Sequence, residues 1–150
     1  EIVILHKVFF LADSAQIKEV SKDILDAVAA TMLGNQHITK VHLAGHVDAR
    51  EAKKKKNAGL ALARAQAVMV YLIEKGVPAE RLSAGGYDDL CPMDPAKNEG
   101  AYEKNRRVEF KILETTTGCT NVDITCDKAI SLGLVPPEDD KYLPGGGYCD

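Results

Sequence analysis

The chain has 150 residues, 45% hydrophobic and 27% charged, with 5% aromatic and no tryptophan, the composition of a single globular domain. Its net charge of −3 is uneven: residues 115–150 hold six acidic residues against two lysines, leaving the first 114 residues at +1. A near-neutral body, an acidic tail and few aromatics for base stacking argue against a nucleic-acid partner, and no run approaches the roughly 18 consecutive apolar residues of a membrane span. The N-terminal stretch EIVILHKVFFLA is short, is broken by His6 and Lys7, and lacks the basic start and cleavage site of a signal peptide, so the chain reads as a mature protein or a fragment.

In chain order, IVILHKVFF reads as a buried strand rich in Ile, Val and Phe. Asp13 and Ser14 are cap candidates for a helix whose stripe is Ile17, Val20, Ile24, Val28 and Met32 and which Gly34 and Asn35 end. HITKVHLAGHVD is a second strand, with Val41, Leu43 and Val47 on one face and His42, Ala44, His46 and Asp48 on the other. A loop over residues 49–56 leads to Asn57, placed to cap a helix of about residues 58–75 that Gly76 and Pro78 stop. RLSAGGY is a third strand, the turn-rich DDLCPMDPAKNEG a long loop, and AYEKN a helical turn. RRVEFKIL is the last strand, with Val108, Phe110 and Ile112 opposite Arg107, Glu109 and Lys111. The order β-α-β-α-β-β predicts an α/β fold, an α+β sandwich in which a mixed sheet packs against helices. From about residue 115 Gly, Pro, Asp and Cys dominate, which gives a domain over 1–114 and an irregular extension over 115–150.

Arg64 is the anomaly of the second helix, because it shares the apolar face of Leu60, Ala63, Ala67, Val68 and Tyr71. A core-facing guanidinium needs an anion. The partner is either an internal carboxylate, Asp48 or Glu109, or a ligand carboxylate, which the planar fork matches bidentately. Asp48 stands where a strand gives way to a loop, a position for binding, for a turn or for a helix cap. His42, His46 and Asp48 share a strand face, but i and i+4 on a strand lie about 13 Å apart, too far for one zinc ion. No serine sits in a nucleophile elbow, so no metal, cofactor or catalytic residue is assigned. The lysine run 53–56 reads as a solvated loop, and Arg106, on the face of Val108 and Phe110, as a second basic group directed at covered space.

The four cysteines, Cys91, Cys119, Cys126 and Cys149, form no C-x-x-C pair, which fits two structural disulfides in an oxidising compartment better than four free thiols. Three connectivities are open. The preferred one joins Cys119 to Cys126 and Cys91 to Cys149, stapling the extension.

With these residues in hand, VFFLADSAQI, VHLAGHVD, NAGLALARAQAVMVYLIEKGVPAERLSAGGY and NRRVEFKI resemble, in order and spacing, the motifs of the OmpA-like peptidoglycan-binding domains. These include the C-terminal domains of outer-membrane porins, the peptidoglycan-associated lipoproteins and MotB. The resemblance covers about residues 8–113. It implies a non-enzymatic module that holds the stem peptide of the cell wall through meso-diaminopimelate, in the periplasm of a Gram-negative bacterium on the wall side of the outer membrane. By motif position Asp48 would take the ligand ammonium and Arg64 its carboxylate. Asn57 would shape the pocket, Phe10, Ala12 and Asp13 would form the opposite lip, and Arg106 would approach the peptide. Membrane attachment would lie outside this chain, and other envelope proteins are further candidate partners. The chain departs from the family pattern at Val47, Ala61 and Ala12 and in its long lysine-rich loop. A use of the same fold for protein–protein contact without wall binding is the alternative.

Overall fold

The computed structural model describes residues 7–120, 122 and 125–132. The expected first strand is seen as β1, Lys7–Phe9; its predicted beginning lies outside the described residues. β2 (Ile38–Gly45) runs through the middle of the sheet, parallel to β3 (Leu82–Gly86) on one side and antiparallel to β4 (Arg107–Thr115) on the other. β1 adds antiparallel to β4, with Val8 opposite Val108, giving the order β1-β4-β2-β3. A short β5 (Gly118–Cys119) doubles back on the end of β4. The mixed sheet follows from the connections. β2 and β3 are joined through a helix and can run parallel, whereas β4 arrives from a long loop and fills the slot between β1 and β2.

Two helices cover one face, α1 (Glu19–Gly34) and α3 (Leu60–Glu74), with the four-residue α2 (Ala49–Ala52) between them in sequence. Val8, Val41, Leu43, Leu82, Ala84, Val108 and Phe110 meet Leu25, Val28, Met32, Ala65, Val68 and Leu72 in one core. Each Val, Leu, Met or Phe among them contributes roughly 1.5–3 kcal/mol when fully buried. α3 lies unusually close to the sheet. A Cβ on Gly45 would sit 1.9 Å from the carbonyl oxygen of Ala61, and one on Gly86 would sit 2.4 Å from the amide nitrogen of Leu62.

The helix faces differ from the sequence expectation by part of a turn. α1 begins at Glu19 rather than after Ser14, and no side chain caps it. It buries Ser21, Leu25, Val28, Ala29 and Met32 while Val20 is 73% exposed. α3 buries Ala61, Arg64, Ala65, Val68 and Leu72. Its N-cap is Gly59, with φ of 80°, and not Asn57, which closes a single 3-10 turn over Lys55–Asn57. α4 (Glu99–Asn105) is capped by the side chain of Asn98.

The opposite face of the sheet carries His42, Ala44 and Ser83, and a smaller cluster of Ala44, Tyr87, Cys91 and Ala129 lies against it. Ala129 belongs to α5 (Asp127–Ser131), in the C-terminal extension. Cys91 is bonded to Cys126, 35 residues away. This bridge excludes both preferred pairings, Cys119–Cys126 and Cys91–Cys149. The loop after β3 folds back over Tyr87 and brings Cys91 under α5, a closeness that sequence distance does not reveal. Cys149 lies outside the described residues. No helix among the described residues is long and apolar enough to cross a membrane.

Candidate functional site

Past the end of β2 the chain stays extended for two residues. His46 N–H donates to the Arg107 carbonyl at 2.9 Å and Val47 N–H to the Asp88 carbonyl at 3.0 Å. Asp48 then starts α2, and D-x-x-E forms a reciprocal capping box. Asp48 Oδ1 accepts the Glu51 N–H at 2.7 Å, and Glu51 Oε1 accepts the Asp48 N–H at 3.0 Å. The second oxygen of Asp48 accepts from Arg106 Nη1 at 3.0 Å, and Arg106 Nε donates to the Phe10 carbonyl at 3.1 Å. Both side chains of this ion pair are buried.

Arg64 projects from the buried face of α3 and is 0% exposed. Its partner is neither Asp48 nor Glu109 but Glu51, whose two oxygens accept from Nη1 at 2.9 Å and Nη2 at 2.5 Å. The reason is the short helix: its capping turn points the third residue inward, between Asp48 and Arg64. Glu109, for its part, lies on the other face with Arg107. Burial works to raise the Glu109 carboxyl pKa, but the hydrogen bond and charge of Arg107 outweigh it and hold the pKa low. Arg64 also donates to the carbonyls of Ser14, His46 and Leu11 at 2.9, 3.0 and 3.1 Å, and its guanidinium lies 5.3 Å from the centre of the Phe10 ring. In the order Arg106, Asp48, Glu51, Arg64, two carboxylates stand between two guanidinium groups, and the carboxylate of Glu51 separates Arg64 from Asp48.

At the rim, Asp13 has φ of 60° and donates its N–H to Glu51 Oε2 at 2.6 Å. Its carboxylate accepts from Lys54 Nζ at 2.8 Å and Asn57 Nδ2 at 2.7 Å. These two bonds, Lys54 first, hold its pKa down at about 2. Asn57 also donates to the Glu51 carbonyl, so it ties the rim to α2 instead of capping α3. Ala12 is exposed and Phe10 is buried. Two clefts flank the array. One, of about 400 Å3, is lined by Val47, Lys53–Lys55, Asn57 and Asp88–Asp89 among others. The other, of about 410 Å3, is lined by Phe9, Phe10, Leu11, Lys18, Glu103, Lys104 and Arg106. Asn57 thus opens on the first cleft and Phe10 and Arg106 on the second, while Asp48 and Arg64 line neither.

The histidines lie elsewhere. His42 is buried between Ser83 Oγ and Tyr87 Oη, at 2.7 and 2.8 Å. His46 is buried, and neither of its ring nitrogens has a hydrogen-bond partner among the described residues. Burial depresses the pKa of each to about 3. Among the described residues no three His, Cys, Asp or Glu side chains are grouped to hold a metal ion. Sequence reasoning missed Glu51, whose signal was the acidic residue three positions after Asp48.

Residues 9–106 match the OmpA family. The chain belongs to the OmpA family. This OmpA-family chain is 39% identical over 102 residues to a peptidoglycan-associated lipoprotein of Pasteurella multocida, covering 68% of this chain and 67% of that one. It is 32% identical over 110 residues to an outer membrane protein of Gluconacetobacter diazotrophicus, covering 70% of this chain but only 29% of that relative. The cell wall anchor of the type VI secretion system from Pseudomonas aeruginosa shares the OmpA-like fold, with a TM-score of 0.61 at 27% identity over 71% of this chain and 75% of that one.

Proposed function

We propose that this domain binds cell-wall peptidoglycan without catalysis, in the periplasm of a Gram-negative bacterium, and so fixes the envelope protein that carries it to the wall. The observation that carries this reading is the buried array of two ion pairs, Arg106–Asp48 and Arg64–Glu51, at a polar rim in a domain whose relatives include a peptidoglycan-associated lipoprotein. The ligand is the stem peptide. Its diaminopimelate carries an ammonium and a carboxylate on one carbon, and such a head group suits a site that sets anions beside cations. Asp48, Asn57 and Asp13 supply the acceptor side, Arg64 and Arg106 the donor side, and Phe10 and Ala12 the lip. Residues 1–114 act as the binding unit and 115–150 as an extension clamped to it through Cys126.

One observation favours the other use of the fold, as a protein-interaction module: within the chain Asp48 is already paired with Arg106 and Arg64 with Glu51. Co-sedimentation with purified sacculi separates the two. Wild type should pellet with the wall. Asp48→Asn, which keeps a capping oxygen, and Asn57→Ala should pellet less while retaining a cooperative melt. Wild type that stays in the supernatant refutes wall binding and leaves the interaction module.

A further inference from the structure

Arg64 is held as a receptor for a carboxylate, with the occupant supplied by the chain itself. All five N–H groups of its guanidinium are engaged. Three donate to the carbonyls of Ser14, His46 and Leu11, which fix the plane and direction of the fork whatever lies in front of it. The other two converge on one carboxylate, that of Glu51. The same carboxylate accepts the main-chain N–H groups of Asp13 and Asp48. A guanidinium fork and two amides therefore surround a single carboxylate, and every part of the seat belongs to α3, to the segment after β1, or to the residue that starts α2.

The occupant is less firmly built in than the seat. Glu51 stands on a helix of four residues. It is the only buried side chain between residues 49 and 56, and Lys53–Lys56 beyond it are exposed. This segment is held inward by the carboxylate itself, the cap from Asp48, the link from Asn57 to the Glu51 carbonyl, and two exposed ion pairs, Lys54–Asp13 and Arg50–Glu99, and exposed pairs of this kind hold weakly. An outward swing of residues 49–54 would vacate the seat without disturbing α3, whose closeness to the sheet fixes Arg64.

We propose that Glu51 is a resident carboxylate that competes with the carboxylate of an incoming ligand for the seat formed by Arg64 and the amides of Asp13 and Asp48. The proposal deepens the wall-binding reading and rests on it for the identity of the ligand. A tethered group acts at millimolar effective concentration or above, and a ligand's apparent affinity falls by the fraction of time the seat is open. Glu51 therefore sets the affinity: it keeps the pocket closed in the free domain and admits ligands that bring their own carboxylate together with further contacts at the rim.

The test uses Glu51→Ala and Glu51→Gln. Alanine preserves the amide that Asp48 caps, and glutamine preserves the shape without the charge. Melting temperature is measured in sodium acetate and in sodium chloride at matched ionic strength, and affinity is measured by sacculus co-sedimentation. Acetate should raise the melting temperature of Glu51→Ala saturably, leave wild type unmoved, and have no effect on Glu51→Ala/Arg64→Met. Both single variants should bind sacculi roughly tenfold or more tightly than wild type, since the competitor is removed or weakened. Equal acetate responses in wild type and Glu51→Ala, or, where wild type binds sacculi, folded single variants that bind them no better, would overturn the proposal. If Glu51→Ala is unfolded in chloride, folding in acetate supports the seat, and no folding in either salt, with Glu51→Gln bound no more tightly than wild type, overturns it. The acetate arm needs no wall. Acetate rescue with no sacculus binding by any form keeps the seat and rejects the wall reading; wall binding with no acetate rescue does the reverse.

Discussion

Removing the Cys91–Cys126 bridge should cost about 4 kcal/mol. The bond closes a loop with a sequence separation of 35. Chain-entropy theory puts the loss of unfolded-state freedom near 2.1 + 1.5R ln n cal/mol/K, about 3.8 kcal/mol for a loop of this length at 25 °C. That is a large share of the roughly 5–15 kcal/mol of a typical domain. The perturbation is Cys91→Ala/Cys126→Ala, which leaves the other two cysteines alone. Urea unfolding followed by circular dichroism is the assay. With a slope of about 2 kcal/mol/M, the midpoint should fall by about 2 M with little change in the slope itself. The loss should appear although Arg64, Glu51 and Asp48 are untouched, because the bridge joins the loop after β3 to the extension on the opposite face of the sheet. A midpoint within about 0.3 M of wild type would refute the loop-closure argument and place the bridge in a segment that stays structured, or contributes nothing, when the rest unfolds.

Other outcomes follow from the same structure. His42 and His46 have folded pKa values of about 3, set first by burial, with Lys111 and Lys40 near His42 and with Arg107, Glu109, Lys111 and His42 near His46. The unfolded chain binds more protons between pH 3 and about 6.5, so stability is fully present above that window and falls as pH drops through it, by about 2 kcal/mol per histidine between pH 7 and 5. Urea melts of His46→Leu should show roughly half the wild-type pH slope, and an unchanged slope would reject the assignment. Gly45→Ala drives a methyl group into the backbone of α3 and should lower stability by about 2–3 kcal/mol or more. Gly34→Ala, at the end of α1 with nothing within 4 Å of the added carbon, should raise it by about 0.5–1 kcal/mol; thermal melts of both variants check the contrast. Arg64→Lys keeps the charge but loses the planar fork and offers three donors in place of five. It should cost about 2–4 kcal/mol, and a melt within about 1 °C of wild type would contradict the saturated geometry.

The parts of the fold legible in the sequence were those written in repeated local signals. The β-branched runs of β2 and β4, the alternation of Val108 and Phe110 against Arg107 and Glu109, and the Gly76–Pro78 stop each specify an element without help from distant residues. The buried face of α1 was not legible, because apolar residues lie on two sides of that helix. Packing chose Leu25 and small Ser21 over Val20, a choice made by the shape of the sheet. Arg64 was recognisable as buried from its neighbours at helical spacing, whereas its partner depended on which of several carboxylates the tertiary structure brought within reach. Glu51 won because a capping turn of four residues aims it inward, and four residues are too few for periodicity to show. Asn57 had the chemistry of a helix cap, but Gly59 in a left-handed conformation reached the start of α3 first. The bridge to Cys91 is a further case, since only the fold of the loop after β3 makes those two sulfurs neighbours.

A domain that fastens one body to another must withstand pulling, and the segment after β1 bears on this. A load arriving from the N-terminal side of Lys7 would meet β1, whose described residues Lys7–Phe9 are held to β4 along one edge. The next stretch of chain is gripped from several directions at once: the Phe10 carbonyl by Arg106, the Leu11 and Ser14 carbonyls by Arg64, and the Asp13 amide by Glu51. Strain on the first strand would therefore pass into the buried charges within a few residues, and those bonds would have to break together rather than in sequence. The charges that shape the candidate binding site would then also act as the domain's force-bearing clasp, and tension and ligand occupancy would act on the same few atoms.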